Sequence, residues 1–139
     1  MSEVVFDTGA LVRLQREGGT LRNLIETARE EEVSLVVSAA TLTEFLGGSP
    51  RRQRGAADWI ASHFETAAVT EAVARRGATL MRLARDASRS ASPGPIDALA
   101  ATEGERRGAH VVVSGDRADF DALAAASGRF RVIDLDALL

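Results

Sequence analysis

The chain predicts an α/β fold: a three-layer α/β/α sandwich around a central, mainly parallel sheet of four or five strands. Three observations predict it. Short apolar runs at Val4–Phe6, Ser34–Val37 and His110–Ser114 have the composition of strands buried on both faces. Amphipathic stretches long enough to serve as crossover helices separate them. The 139 residues, 45% hydrophobic and 27% charged, suit one hydrophobic core, so residues 1–139 read as a single domain.

Each element has a local reason. Val4-Val5-Phe6 is the first strand. Leu11, Val12 and Leu14 recur at helical spacing through Thr8–Glu17, with Gly18-Gly19 as a stop. Thr20 is placed to cap a second helix over Thr20–Glu32, which carries Leu21, Leu24, Ile25 and Ala28. Ser34–Val37 is the second strand, and Ser38 caps a helix ending at Gly47-Gly48. Ser49-Pro50 opens a helix over Arg51–Ser62, proline being favoured in the first turn. Phe64–Val69 fits a short third strand. Thr70–Ala87 is the longest helical pattern, with Val73, Leu80, Leu83 and Ala84 on one face. Ser88–Gly94 is a loop. Ile96–Arg107 is a helix stopped by Gly108, and strands at His110–Ser114 and Phe130–Asp134 flank a helix at Ala118–Ala126.

Composition excludes several chemistries. With no cysteine there is no disulfide, thiolate nucleophile, zinc-thiolate site or iron–sulfur cluster. No apolar run reaches the roughly 20 residues that cross a bilayer. The first residues lack the basic and apolar regions of a secretory signal, so none is expected, and a cytoplasmic location fits a chain without cysteine. The net charge of −3 carries no overall attraction for phosphate. All 17 basic residues are arginine, clustered at Arg51, Arg52 and Arg54, at Arg75 and Arg76, and at Arg106, Arg107 and Arg117. Base-composition bias explains that preference, and so does the fit of a guanidinium fork to phosphate oxygens.

Four carboxylates sit where an apolar strand ends or a helix begins: Asp7, Glu44, Asp97 and Asp116. Each has an ordinary explanation. Asp7 is placed to cap the first helix, although Thr8 can do the same. Glu44 is too deep in its helix to be a cap and reads as a residue of the polar face or of the margin of buried surface. Asp97 follows Pro95 in a first turn, where the helix dipole favours an acid. Asp116 and Asp119 have the spacing of a capping pair. Together the four fall at the same end of successive strand–helix units, where open α/β sheets bind ligands. Acids gathered there require a cation.

Four segments, in this order, resemble PIN-domain ribonucleases, and specifically the VapC toxins of bacterial toxin–antitoxin pairs. They are Val5-Phe6-Asp7-Thr8-Gly9-Ala10-Leu11, Thr43-Glu44-Phe45, Pro95-Ile96-Asp97-Ala98-Leu99-Ala100-Ala101, and Ser114-Gly115-Asp116-Arg117-Ala118-Asp119-Phe120. The resemblance spans almost the whole chain. It implies that Asp7, Asp97 and Asp116 hold Mg2+ or Mn2+ and that Glu44 completes a catalytic quartet. Asp119 matches a more variable acidic position, and Ser114 a frequent Thr or Ser. It also implies an RNA substrate, a small VapB-like antitoxin partner and a homodimer. Glu103 and Glu105 have no counterpart role.

The chemistry suits these side chains. Carboxylates are hard ligands for magnesium, and a divalent ion lowers the pKa of water and polarises a phosphoryl oxygen. Asp7 and Asp97 are then the primary ligands, Asp116 binds directly or through water, and Glu44 orients the attacking water or helps hold a second ion. The alternatives are a PIN-domain nuclease with a housekeeping RNA-processing role and a receiver-like magnesium-binding signalling module. The second wants a lysine for its phosphoryl group, and this chain has none. His63 and His110 have no sequence partner suggesting a Ser–His arrangement, and no phosphate-binding loop of the P-loop pattern occurs. Trp59 and Ile60 read as core or as a face for the partner.

Overall fold

The computed structural model describes residues 2–115 and 117–138; Asp116 and the side chain of Arg54 lie outside them. Its elements run β1 (Ser2–Phe6), α1 (Thr8–Arg16), α2 (Gly18–Glu30), β2 (Val33–Ser38), α3 (Ala39–Gly47), α4 (Pro50–Gly55), α5 (Ala57–His63), β3 (Phe64–Ala67), α6 (Glu71–Ala87), α7 (Pro95–Arg107), β4 (His110–Val113), α8 (Arg117–Ser127) and β5 (Val132–Asp134), closed by a 3-10 turn at Leu135–Leu138.

The five strands form one parallel sheet in the order β3-β2-β1-β4-β5. Alternation along each strand divides the core into two layers. Val4, Phe6, Leu35, Val37 and Val112 face one side, where they meet Leu11 and Leu14 of α1, Leu24 of α2, Phe45 of α3 and Ile60 of α5. Val5, Val36, Val111 and Val113 face the other, against Leu80 and Ala84 of α6, Ala98 and Ala101 of α7, and Phe120 and Leu123 of α8. The result is the expected three-layer sandwich. Its helices take opposite faces because the chain first steps from β1 to β3, then returns past β1 to β4, and right-handed crossovers in opposite directions land on opposite sides.

Side-chain caps fix several helix starts. Ser38 Oγ accepts from Ala40 N at 3.2 Å, Ser49 Oγ from Arg52 N at 3.2 Å and Thr70 Oγ1 from Val73 N at 3.2 Å. Gly108 ends α7 in the left-handed conformation, φ +60°, where a side chain is strained.

Four expectations need correction. Gly18-Gly19 do not stop a helix but open α2, and Thr20 is not its cap; the side chains of α2 that reach the core, Leu24 and Ala28, leave its exposed first turn free to wind with glycine. The helix expected over Arg51–Ser62 is two, α4 and α5, broken after Gly55 so that Ala56 and Ile60 both turn into the core. The last strand begins at Val132 rather than Phe130. On α6, Leu83 is 41% exposed, and Gly77 takes its place on the buried face with Val73, Leu80 and Ala84.

Candidate functional site

The strand order reverses between β1 and β4, and the crevice beyond their carboxyl ends is the ligand position of an open α/β sheet. Asp7 follows β1 and the Ser114-Gly115 turn follows β4. Asp7 is only 4% exposed. Its backbone N donates to Val112 O at 3.0 Å, continuing the ladder, and its Oδ1 accepts from Ala10 N at 2.7 Å. The capping role is therefore real. It also fixes the carboxylate at the buried edge of the central strand.

Gly9 brings the two strand ends together. A Cβ there would overlap the Ser114 carbonyl oxygen and stand 3.7 Å from Asp7 Oδ1. Only glycine lets the first turn of α1 rest against the end of β4. In the same turn Thr8 Oγ1 is buried with no hydrogen-bond partner among the described residues, a costly state for a hydroxyl.

Asp97 is half-buried in the first turn of α7, behind the N-cap Gly94, which offers no side chain. At the other end of α7, Arg107 Nη1 donates to Glu3 Oε2 of β1 at 2.6 Å. The helix thus runs antiparallel to β1, and its first turn lies toward the carboxyl edge where Asp7 sits. Glu44 is exposed on α3, which packs against both α1 and α7. The fourth acid, Asp116, lies outside the described residues. Among the described residues no three His, Asp or Glu side chains stand close enough to hold a metal ion.

The remaining acids of this region have structural partners. Asp119 Oδ1 accepts from Ser92 N at 2.9 Å, tying the first turn of α8 to the loop that leads into α7. Glu103 is buried and holds Arg106 Nη1 and Arg107 Nε at 3.0 Å. Glu105 accepts from Arg76 Nε at 2.7 Å and Nη2 at 3.0 Å, and from the Ser127 hydroxyl. The Arg76 guanidinium, with Ser127 adding to it, holds the Glu105 carboxyl below the usual range against the opposing effect of burial.

The arginines divide into engaged and unengaged groups. Arg13 bonds Asp136 and Glu17, Arg117 bonds Asp121 and Asp134, and Arg76, Arg106 and Arg107 hold the glutamates above. Arg52 donates to Gln15 Oε1 at 3.1 Å and lies 5.2 Å over the Phe45 ring. Arg16 and Arg51 are exposed and make no ion pair or hydrogen bond among the described residues. Of the two histidines, His110 opens β4 at the amino edge, far along the strand from the crevice, and His63 ends α5. Ile60 is core. Trp59 is half-buried, edge-on to Phe45 and Phe64 with ring centroids 6.2 and 5.9 Å away, and borders a groove with Leu21, Ile25 and Arg29 of α2.

Sequence reasoning missed two residues here. Gly9 stood only as one position of a motif, because its packing role lies in a close approach to a strand more than a hundred positions later; the Asp7-Thr8-Gly9 run directly after an apolar strand was the available signal. Arg16 stood outside every arginine cluster, and only folding brings it near Arg51.

No family model matches the chain, and no curated protein matches it. Solved structures do. A chain of the VapBC2 complex from Rickettsia felis, bound to a DNA fragment from its promoter, superposes with a TM-score of 0.74 at 14% identity, covering 96% of this chain and 99% of that one. DNA-bound VapBC from Salmonella typhimurium gives 0.70 at 20% identity, covering 96% and 98%. FitAB bound to the IR36 DNA fragment gives 0.65 at 16% identity, covering 94% of each chain. At such identities the likeness is one of architecture, and with five parallel strands in this order between two helical layers the chain has the PIN-domain fold.

Proposed function

We propose that this chain is a metal-dependent endoribonuclease and the toxin component of a toxin–antitoxin pair. The observation that carries the reading is the buried Asp7 carboxylate at the end of the central strand, beside the sheet's point of reversal and in the turn whose Gly9 rests against the end of β4. The structures of similar fold include VapBC and FitAB bound to DNA, which supports a small antitoxin partner for this chain.

The donor chemistry fits Mg2+ or Mn2+. The acids near the crevice are oxygen donors, cysteine is absent, and both histidines belong to other parts of the fold. Asp7, Asp97 and Asp116 would hold the ion. When bound, it supplies a Lewis acid that polarises the phosphoryl oxygen and lowers the pKa of water. Asp7 is positioned by its own backbone and by Ala10 N, so its carboxylate needs no rearrangement to serve. Glu44, on the exposed side of α3, orients the attacking water. The reaction adds water across the phosphodiester bond, and no side chain becomes covalently attached.

The test is cleavage of labelled RNA by the purified chain with Mg2+ or Mn2+, repeated in EDTA and with Asp7→Asn. Cleavage should vanish in both controls. Cleavage that survives either one overturns the assignment.

A further inference from the structure

One surface cavity adjoins the crevice and shares one residue with a second, farther along α1. The first, about 400 Å³, is lined by Gly9, Val12, Arg13, Arg16, Glu17 and Ser114, so it opens from the turn that carries Asp7. The second, about 470 Å³, is lined by Gln15, Arg16, Ser49, Arg51 and Arg52. Arg16 borders both, which makes them one track along the exposed side of α1 to the start of α4.

The charges along that track are of two kinds. Arg13 is neutralised by Asp136 and Glu17, and Arg52 is spent on Gln15, the Phe45 carbonyl and the Phe45 ring. Glu17 in turn is engaged by Arg13, so the one acid among the described residues that line the track is itself matched. Arg16 and Arg51 remain as exposed guanidinium groups with no partner among the described residues. A chain of net charge −3 that keeps two such groups beside an acidic crevice offers them to something anionic. Arg16 and Arg51 come from different helices and both line the second cavity, while Arg16 alone also lines the first, so an extended anion leaving the crevice meets Arg16 before Arg51.

We propose that this track is the path of single-stranded RNA away from the cleavage crevice, with Arg16 and Arg51 each contacting a backbone phosphate on the same side of the scissile bond. The path rests on the ribonuclease reading of the crevice. Both arginines are positioning residues: they hold the strand in register without touching the reacting phosphate. Sequence preference is not expected from them, since phosphate contacts place a strand without reading its bases.

The experiment measures binding rather than cleavage. Fluorescence anisotropy of a labelled single-stranded RNA is recorded over a series of salt concentrations with the Asp7→Asn chain, then with Arg16→Ala and Arg51→Ala added singly and together. Each arginine should contribute about 0.7 to the slope of log affinity against log salt, and the double variant should lose roughly twice that. Arg82→Ala with Arg89→Ala removes two exposed arginines of α6 and the loop after it, on the other helical layer, and should leave the slope as it was. If the Arg16 and Arg51 variants bind with unchanged slope, if the Arg82 and Arg89 control falls equally, or if the chain binds no RNA, the path is overturned. A slope lost as expected in a chain that never cleaves RNA supports the path while refuting the nuclease activity, so the two failures are distinguishable.

Discussion

Asp119 and Ser92 are joined by a 2.9 Å hydrogen bond from the Ser92 amide to the Asp119 carboxylate, which ties the first turn of α8 to the loop that delivers Asp97. On the same loop, Arg85 Nε donates to the Pro93 carbonyl at 3.1 Å. The two bonds anchor residues 92 and 93 just before α7 begins. Asp119 is thus a brace. Asp119→Asn keeps an acceptor oxygen and should retain cleavage and metal affinity. Asp119→Ala should speed amide exchange across residues 90–97 and lower cleavage several-fold. Equal losses in both variants would show that the charge, and not the brace, matters.

Asp7 has two duties that substitution can separate. Asn caps a helix about as well as Asp, so Asp7→Asn should keep the melting temperature while abolishing cleavage. Asp7→Ala loses the cap as well and should cost about 1 kcal/mol of stability. Thermal unfolding of both variants checks this.

Gly9→Ala forces a methyl group into the Ser114 carbonyl. The first turn of α1 and the end of β4 must separate, at a cost of roughly 1–3 kcal/mol by the rule for overpacked sites. Cleavage should fall further than stability alone explains, because the carboxylate of Asp7 moves with its turn. Ordinary stability and activity in the Gly9→Ala variant would contradict the contact.

The Glu105–Arg76 pair predicts a pH dependence. The folded state holds the Glu105 carboxyl below its unfolded value, so the pair's contribution is complete above about pH 4.3, the ordinary Glu value, and is lost as pH falls through the depressed one. Glu105→Gln should be less stable than the native chain at pH 7 by about 1–2 kcal/mol, the scale of lost charged hydrogen bonds. The difference should shrink below pH 4. Denaturant titrations at pH 7 and pH 3 measure it.

The layered architecture was legible because apolar runs of three to five residues in a chain this short have few places to go. Val111-Val112-Val113 cannot be read as anything but a strand covered on both sides, and it is one. Helix ends were readable where a side chain made the cap, as at Ser38, Ser49 and Thr70. They were not readable where the cap was backbone alone: Glu17 opens α2 without a side-chain bond, and nothing in Gly18-Gly19 announces a helix start. The acids were visible as a pattern at strand ends, but their division of labour was not. Glu103 and Glu105 look like Asp97 in sequence. What separates them is their position along α7: residues 100–104 are buried, the side chains of Glu103 and Glu105 are covered with them, and a carboxylate there survives only by meeting an arginine.

Arg107 joins Glu3 of β1, Glu65 of β3 and Glu103 of its own helix in one guanidinium fork, all near the amino ends of the strands. Central strand, edge strand and the helix across them are therefore riveted at the base of the molecule. The opposite rim is relieved of that structural duty. Apart from the Gly9–Ser114 contact and the Asp119–Ser92 bond, its turns and loops can change in length and composition without unseating the framework, so a lineage built on this scaffold is able to exchange one target for another while the foundation beneath stays put.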